Sequence, residues 1–273
     1  MVYGCYWTLK QRRNMLNIRN LDVKFKVDGN MIHAVKGISF DVNPAQSIGI
    51  VGESGSGKSV SAMAIMGLLP ATAKISGDIL YNDISLPSLS EKEYQKIRGK
   101  KIGYIFQNPL AALNPVFTIA NQMVETIQLH QSMTKDDART YAINLLHRVK
   151  IVDPEKRIDD YPHQFSIGMC QRIMIAMTLS MKPDILIADE PTASLDVTTQ
   201  KEILELIDEL KQEYNMAMIF ISHDLAVVAE RCDYVAVMYL GQIVEQGKPN
   251  EIFTNPTDEY TKLLINAIPK VPF

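Results

Sequence analysis

The chain has 273 residues, 47% of them hydrophobic and 22% charged, with a formal net charge of -3 and a sequence pI near 6.0. This is the composition of an ordinary globular protein, without the basic field that would draw it to nucleic acid. No run approaches the ~18 consecutive apolar residues of a membrane-spanning helix, so any work at a membrane requires another chain to do the spanning. Cys5, Cys170 and Cys232 stand far apart without metal-ligand spacing. An odd number is a poor disulfide framework, and they are read as reduced thiols.

In chain order, residues 1–14 fit no element, and the opening Met1 to Trp7 is too short and too aromatic for a secretory core. Met15-Leu16-Asn17-Ile18 begins a clean strand, so residues 1–14 are either a short tail or sequence upstream of a translation start at Met15. Leu16–Val27, Ile38–Val42 and Gly77–Tyr81 read as antiparallel strands. Ile48 to Val51 is an apolar strand leading into a Gly-rich loop, with a helix expected over Val60–Leu69. Lys101–Phe106, Ile185–Ala188, Ala217–Ile221 and Tyr234–Tyr239 are short apolar runs of the kind buried on both faces of a parallel sheet. Between them, Thr199–Tyr214 places Ile203, Leu206, Ile207 and Leu210 on one helical face. The alternation predicts an α/β nucleotide-binding core with a mostly parallel sheet. The stretch from about 109 to 180 lacks strong strand signals and carries helical runs near Ile119–His130, Lys135–Lys150 and Gly168–Ser180. It is read as a mainly helical subdomain inserted into the core.

The loop itself carries the sharpest chemistry. Gly52-Glu53-Ser54-Gly55-Ser56-Gly57-Lys58-Ser59, followed by Val60, is a complete phosphate-binding loop between a strand and a helix. Its glycines let backbone N–H groups turn inward around phosphate oxygens. The pattern aims Lys58 at the β- and γ-phosphates and the Ser59 hydroxyl at Mg²⁺, with the helix N-terminus adding its positive end. Ile185 to Ala188 then ends in Asp189-Glu190, two acids at the carboxyl edge of the sheet where open α/β folds bind ligands. Asp189 suits a Mg²⁺ held through water, and Glu190 a general base for the attacking water.

Further motifs follow in a fixed order. Phe165-Ser166-Ile167-Gly168-Met169-Cys170-Gln171-Arg172 resembles the signature motif of ABC-transporter ATPases. Gln107, after Tyr104-Ile105-Phe106, resembles their Q-loop, Ala193-Ser194-Leu195-Asp196 their D-loop, and His223 their switch histidine. Each is weak alone; the assembled order is specific. Phe106-Gln107-Asn108-Pro109, Leu113-Asn114-Pro115, Tyr161-Pro162-His163-Gln164 and the tail Tyr260-Thr261-Lys262-Leu263-Leu264 further resemble the peptide/nickel importer subfamily, closest to its D-type subunits.

The resemblance implies a P-loop NTPase domain over residues 15–247 with its antiparallel β subdomain, the helical subdomain at about 109–180 and a short helical tail at 248–273. It implies a peripheral ATPase at the cytoplasmic face of the inner membrane, using ATP and Mg²⁺. Its partners would be a second ATPase subunit, two membrane permeases and an extracytoplasmic binding protein, with no nucleic acid. Gln107 would sense γ-phosphate and Mg²⁺, His223 would contact the γ-phosphate, Asp196 would bridge the two ATPases, and Ser166 to Met169 would close over the partner's ATP. Phe25 stands where an adenine-stacking aromatic is expected, and equally reads as a strand core residue. The resemblance implies an ATPase that powers import of di- or oligopeptides; the alternatives are an importer of nickel, opines or another substrate in the same subfamily, or a non-transport ABC ATPase, and the direction of transport stays open.

Two departures stand out. The family has glycine where Ile167 stands, and a β-branched residue is a misfit there if φ is positive. The expectation is that the site closed by this signature is weakened. Related D-type subunits commonly continue past the position of Pro269 with an extension, cysteine-bearing in some; with no cysteine after Cys232, no iron–sulfur cluster is expected.

Overall fold

The computed structural model describes residues 14–27 and 29–267. The expected N-terminal tail, Asn14 excepted, and residues 268–273 of the expected C-terminal tail lie outside the described residues.

The chain opens with β1 (Leu16–Val27) and β2 (Asn30–Val42), antiparallel, with Leu16 opposite Val42 and Phe25 opposite Ile32. β2 begins eight residues earlier than the sequence suggests. It is an edge strand whose first residues, Asn30 to Ile32, are exposed, so it carries no apolar alternation there. The central β3 (Ser47–Val51) is followed by α1 (Lys58–Ile65). This helix stops four residues short of its expected end. The Gly67 and Leu68 amides turn back onto the Ala64 and Met63 carbonyls at 3.1 and 2.9 Å, and Gly67 takes the left-handed backbone (φ 60°) that closes such a cap.

β4 (Ala73–Tyr81) and β5 (Ile84–Ser85) complete a four-stranded sheet in the order β2-β1-β4-β5. A short α2 (Glu91–Tyr94) leads to β6 (Ile102–Ile105). Helices fill the stretch up to the next strand: α3 (Pro109–Ala112), α4 (Ile119–His130), α5 (Lys135–Arg148), α6 (Pro154–Arg157) and α7 (Ile167–Leu179). Thr118 and Thr134 cap α4 and α5 by accepting from the Asn121 and Asp137 amides. The chain then alternates again, through β7 (Ile185–Asp189), α8 (Val197–Glu213), β8 (Ala217–Ser222), α9 (Leu225–Arg231) and β9 (Tyr234–Tyr239). The last described elements are β10 (Gln242–Gly247), α10 (Pro249–Thr254) and α11 (Glu259–Asn266).

The second sheet has the order β10-β9-β3-β8-β7-β6, parallel except for β10, which pairs antiparallel with β9. Its strands sort their side chains strictly by period two. Ile185, Ile187, Ala217, Ile219 and Ile221 enter the core shared with the antiparallel sheet and α1. Leu186, Ala188, Met218 and Phe220 enter the opposite core, which continues into the helical region through Ile173, Ile127 and Leu146. A double-sided strand of this kind holds its carboxyl end rigidly, and five parallel strands, β3, β6, β7, β8 and β9, end at the same edge.

Candidate functional site

β3 lies between β8 and β9 and delivers the phosphate loop to that carboxyl edge. A Cβ on Gly52 would stand 2.0 Å from the Met238 carbonyl oxygen of β9, so only glycine lets the loop leave the sheet there. The first turn of α1 leaves amides without intrahelical partners. Lys58, 4% exposed, donates from Nζ to the Gly52 and Glu53 carbonyls at 2.7 and 2.8 Å and lies 3.8 Å from Glu190 Oε1. Burial pushes its ammonium below the usual lysine range, against the pull of Glu190, Asp189 and Glu53.

β7 brings the two acids. Asp189 is 5% exposed; its Oδ1 accepts from Ser59 Oγ at 2.9 Å and its Oδ2 from Tyr104 Oη at 2.7 Å. Burial raises its pKa, opposed by those two hydrogen bonds and by Lys58. Glu190 Oε2 accepts from Gln107 Nε2 at 3.1 Å and lies 3.4 Å from His223 Nδ1. Its backbone is left-handed at φ 44°, uncommon for a residue with a side chain, and its amide donates to the Ile221 carbonyl at 3.0 Å. The neighbouring strand therefore holds Glu190 in place where β7 ends.

These groups surround a cavity of about 540 Å³. Glu53, Ser54, Gly55, Gly57, Lys58, Ser59, Val60, Gln107, Glu190 and His223 all line it. Gly52, Ser56 and Asp189 do not, being buried in the layer that supports the lining. Phe25 is also outside it; half-buried in β1, it packs against the core between the sheets. Sequence reasoning passed over Ala34 and Leu264, which line the cavity, and Tyr104, whose hydroxyl grips Asp189. The signal for Tyr104 was a lone hydroxyl in an otherwise apolar strand.

The signature residues lie elsewhere, at the start of α7. Ser166 caps that helix, its Oγ accepting from the Met169 amide at 3.3 Å, which leaves the hydroxyl proton free to donate. Ile167 is the first helical residue and 42% exposed, and its φ is not among the positive ones. The condition for backbone misfit at 167 is not met, because glycine's conformational freedom is not used at the first position of a helix. Asp196 caps α8, accepting from the Thr199 amide at 3.0 Å and the Thr199 hydroxyl at 2.7 Å.

The ABC transporter family profile matches residues 35–193. The chain belongs to the ABC transporter family. As an ABC ATPase it is 46% identical over 257 residues to the oligopeptide transport ATP-binding protein OppD of Haemophilus influenzae, covering 94% of this chain and 80% of that one. It is 48% identical over 259 residues to the dipeptide transport ATP-binding protein DppD of Bacillus subtilis, covering 94% and 77%. Among solved structures, the dimeric post-hydrolysis ATP-binding cassette MJ0796 bound to ADP and Pi superposes with a TM-score of 0.76 at 27% identity, covering 86% of this chain and 99% of that one.

Proposed function

We propose that this ABC ATPase is the ATP-hydrolysing subunit of a peptide importer. The observation that carries the catalytic part is the convergence of Lys58, Gln107 and His223 on one carboxylate, that of Glu190. Names of relatives that transport dipeptides and oligopeptides support the substrate class.

ATP enters with its phosphates against the phosphate loop and the first turn of α1. Lys58, already stripped of much of its hydration, meets the β- and γ-phosphates. Glu190 orients the attacking water and takes its proton, Gln107 holds that carboxylate at the correct angle, and His223 completes the γ-phosphate contact. The oxygen donors on Ser59 and Asp189, with Gln107 beside them, suit a hard cation that takes its remaining ligands from phosphates and water. When bound, Mg²⁺ would be held by Ser59 and Asp189 with Gln107 beside them, and would supply neutralisation of phosphate charge. Among the described residues no group of three or more His, Cys, Asp or Glu side chains is placed to hold a metal ion.

A second ATPase subunit completes the site. Ser166 to Met169 and Asp196 lie outside the cavity, and they serve the partner's nucleotide across the dimer interface. No described helix is long and apolar enough to cross a membrane, so permease subunits carry the substrate path. A groove of about 280 Å³ lined by Met66, Leu68, Phe106, Leu113, Met174 and Met177 lies next to Gln107 and suits a permease helix. With an extracytoplasmic binding protein feeding the permeases, the assembly places this chain at the cytoplasmic face of the membrane.

The test is reconstitution with the permeases, the second ATPase and the binding protein in proteoliposomes. The expected result is uptake of a labelled di- or oligopeptide that needs ATP inside the appropriate compartment. ATP turnover with no peptide movement, alongside movement of a metal ion or another solute, would overturn the peptide reading.

A further inference from the structure

The phosphate loop is held from outside the core by α11, the last helix among the described residues. Tyr260, in α11, accepts a hydrogen bond at its hydroxyl from the Glu53 amide at 3.0 Å, a contact spanning 207 residues of sequence. The Tyr260 ring stacks on Tyr239 at the end of β9, with centroids 4.1 Å apart. One turn further on, Leu264 lines the cavity that Lys58 and Glu190 also line.

The helix is itself anchored. Asp258 caps it by accepting from the Tyr260 amide at 2.9 Å. Glu245 of β10 accepts from the Thr257 amide at 2.8 Å, the Thr257 hydroxyl at 2.9 Å and the Asp258 amide at 3.2 Å. A second support comes from the β9–β10 turn, where the Gly241 amide donates to the Ser56 carbonyl at 2.9 Å. The loop is thus gripped at Glu53 by the tail and at Ser56 by the hairpin.

We infer that α11 is part of the nucleotide site, with Tyr260 a positioning residue that holds the phosphate loop open for phosphate and Leu264 a direct wall of the cavity. This rests on the ATP reading above. Glu53 precedes the first turn of α1, so the Tyr260 bond fixes the loop's entry while leaving the amides nearest Lys58 free for anions. Ordering a Gly-rich loop in advance lowers the entropy lost when ligand binds. The stack on Tyr239 matters for the same reason: it fixes the ring, and the hydroxyl can then be an acceptor in one place.

The experiment uses the full chain with Tyr260→Phe, which keeps the ring and removes the acceptor. Binding of the non-hydrolysable analogue AMP-PNP with Mg²⁺ is measured by calorimetry, and amide exchange of residues 52–57 is followed without nucleotide. The expected result is roughly 2- to 10-fold weaker binding, the range of one lost hydrogen bond, with faster exchange in the loop and a nearly unchanged melting temperature. In the assembled transporter the Michaelis constant for ATP rises by the same factor while kcat holds, since Tyr260 touches no reacting group. A second variant, Leu264→Glu, sets a carboxylate against the phosphates and weakens binding more strongly. Unchanged loop exchange and unchanged affinity in Tyr260→Phe would overturn the inference. Failure of the unmodified chain to bind AMP-PNP would overturn the ATP reading instead, and loop exchange would still decide the role of Tyr260.

Discussion

Gln107 donates from its side-chain amide to Glu190 Oε2 at 3.1 Å, across the 83 residues that contain the whole helical region. The bond ties the proposed general base to the segment where β6 gives way to α3. Any shift of the helices relative to the sheet is therefore felt at the carboxylate. Replacement Gln107→Ala leaves Glu190 free to swing. ATP binding is expected to stay within a few-fold, while stimulation of hydrolysis by the transported substrate is lost in the reconstituted system. Retained stimulation would show that coupling runs by another route.

Glu190→Gln keeps the shape of the site and removes the proposed base. The expected outcome is intact AMP-PNP binding with hydrolysis reduced by roughly 10²–10⁴-fold, the usual contribution of general base catalysis. The measurement is steady-state phosphate release from the assembled ATPase dimer. Turnover within a few-fold of the unmodified protein would remove Glu190 from the role.

Tyr104→Phe tests the grip on Asp189. The lost bond is made to a carboxylate and buried, so a stability loss of about 1.5–3 kcal/mol is expected. The Mg²⁺ concentration for half-maximal ATPase should shift as well, because Asp189 then relies on Ser59 alone among its two hydroxyl partners. A melting curve with a Mg²⁺ titration measures both.

Ile167→Gly tests the weakened-signature hypothesis in its revised form. With no positive φ at 167, what remains is an exposed branched side chain where the partner's nucleotide would approach. Glycine should raise ATPase of the assembled pair, and it should lower the stability of the isolated chain by about 1 kcal/mol or less. Equal activity of the two proteins would make Ile167 a tolerated surface residue.

Acid should loosen the tail. Burial works to raise the Glu245 pKa, and hydrogen bonds from the Thr257 amide and hydroxyl and the Asp258 amide outweigh it, so the folded value lies below the ordinary glutamate value of 4.5. A group with a depressed folded pKa stabilises fully above its unfolded value and loses that contribution as pH falls through the folded one. Docking of α11 is thus expected to hold at neutral pH and to weaken only below about 4.5. Limited proteolysis across that range, with Glu245→Gln as the pH-insensitive comparison, checks it.

Much of this was legible in the sequence because the double-sided strands announce themselves. Ile185 to Ala188 and Ala217 to Ile221 are apolar at every position, and the structure buries all of them. Lys58, Gln107, Glu190 and His223 were named from motif order, and the fold brings all four to one cavity. The exposed half of β2 was not legible, since an edge strand facing water shows no alternation. The end of α1 was missed because Gly67 breaks an apolar run that reads on past it. Tyr104 and Tyr260 act through single hydroxyls on partners 85 and 207 residues away. No local pattern encodes such pairings; they exist only once the strands are aligned.

Position 190 shows a conflict between what the fold prefers and what the chemistry needs. A left-handed backbone on a residue with a β-carbon costs of order 1–3 kcal/mol, and glycine there would relieve it. Glu190→Gly should therefore yield a protein that melts at least as high as the original and hydrolyses almost nothing. Folding alone favours that substitution, so the proposed role of Glu190 as general base accounts for a carboxylate at this strained position. A chain of this family bearing glycine or asparagine at this site is best read as one whose hydrolytic half has been retired while its architecture was kept.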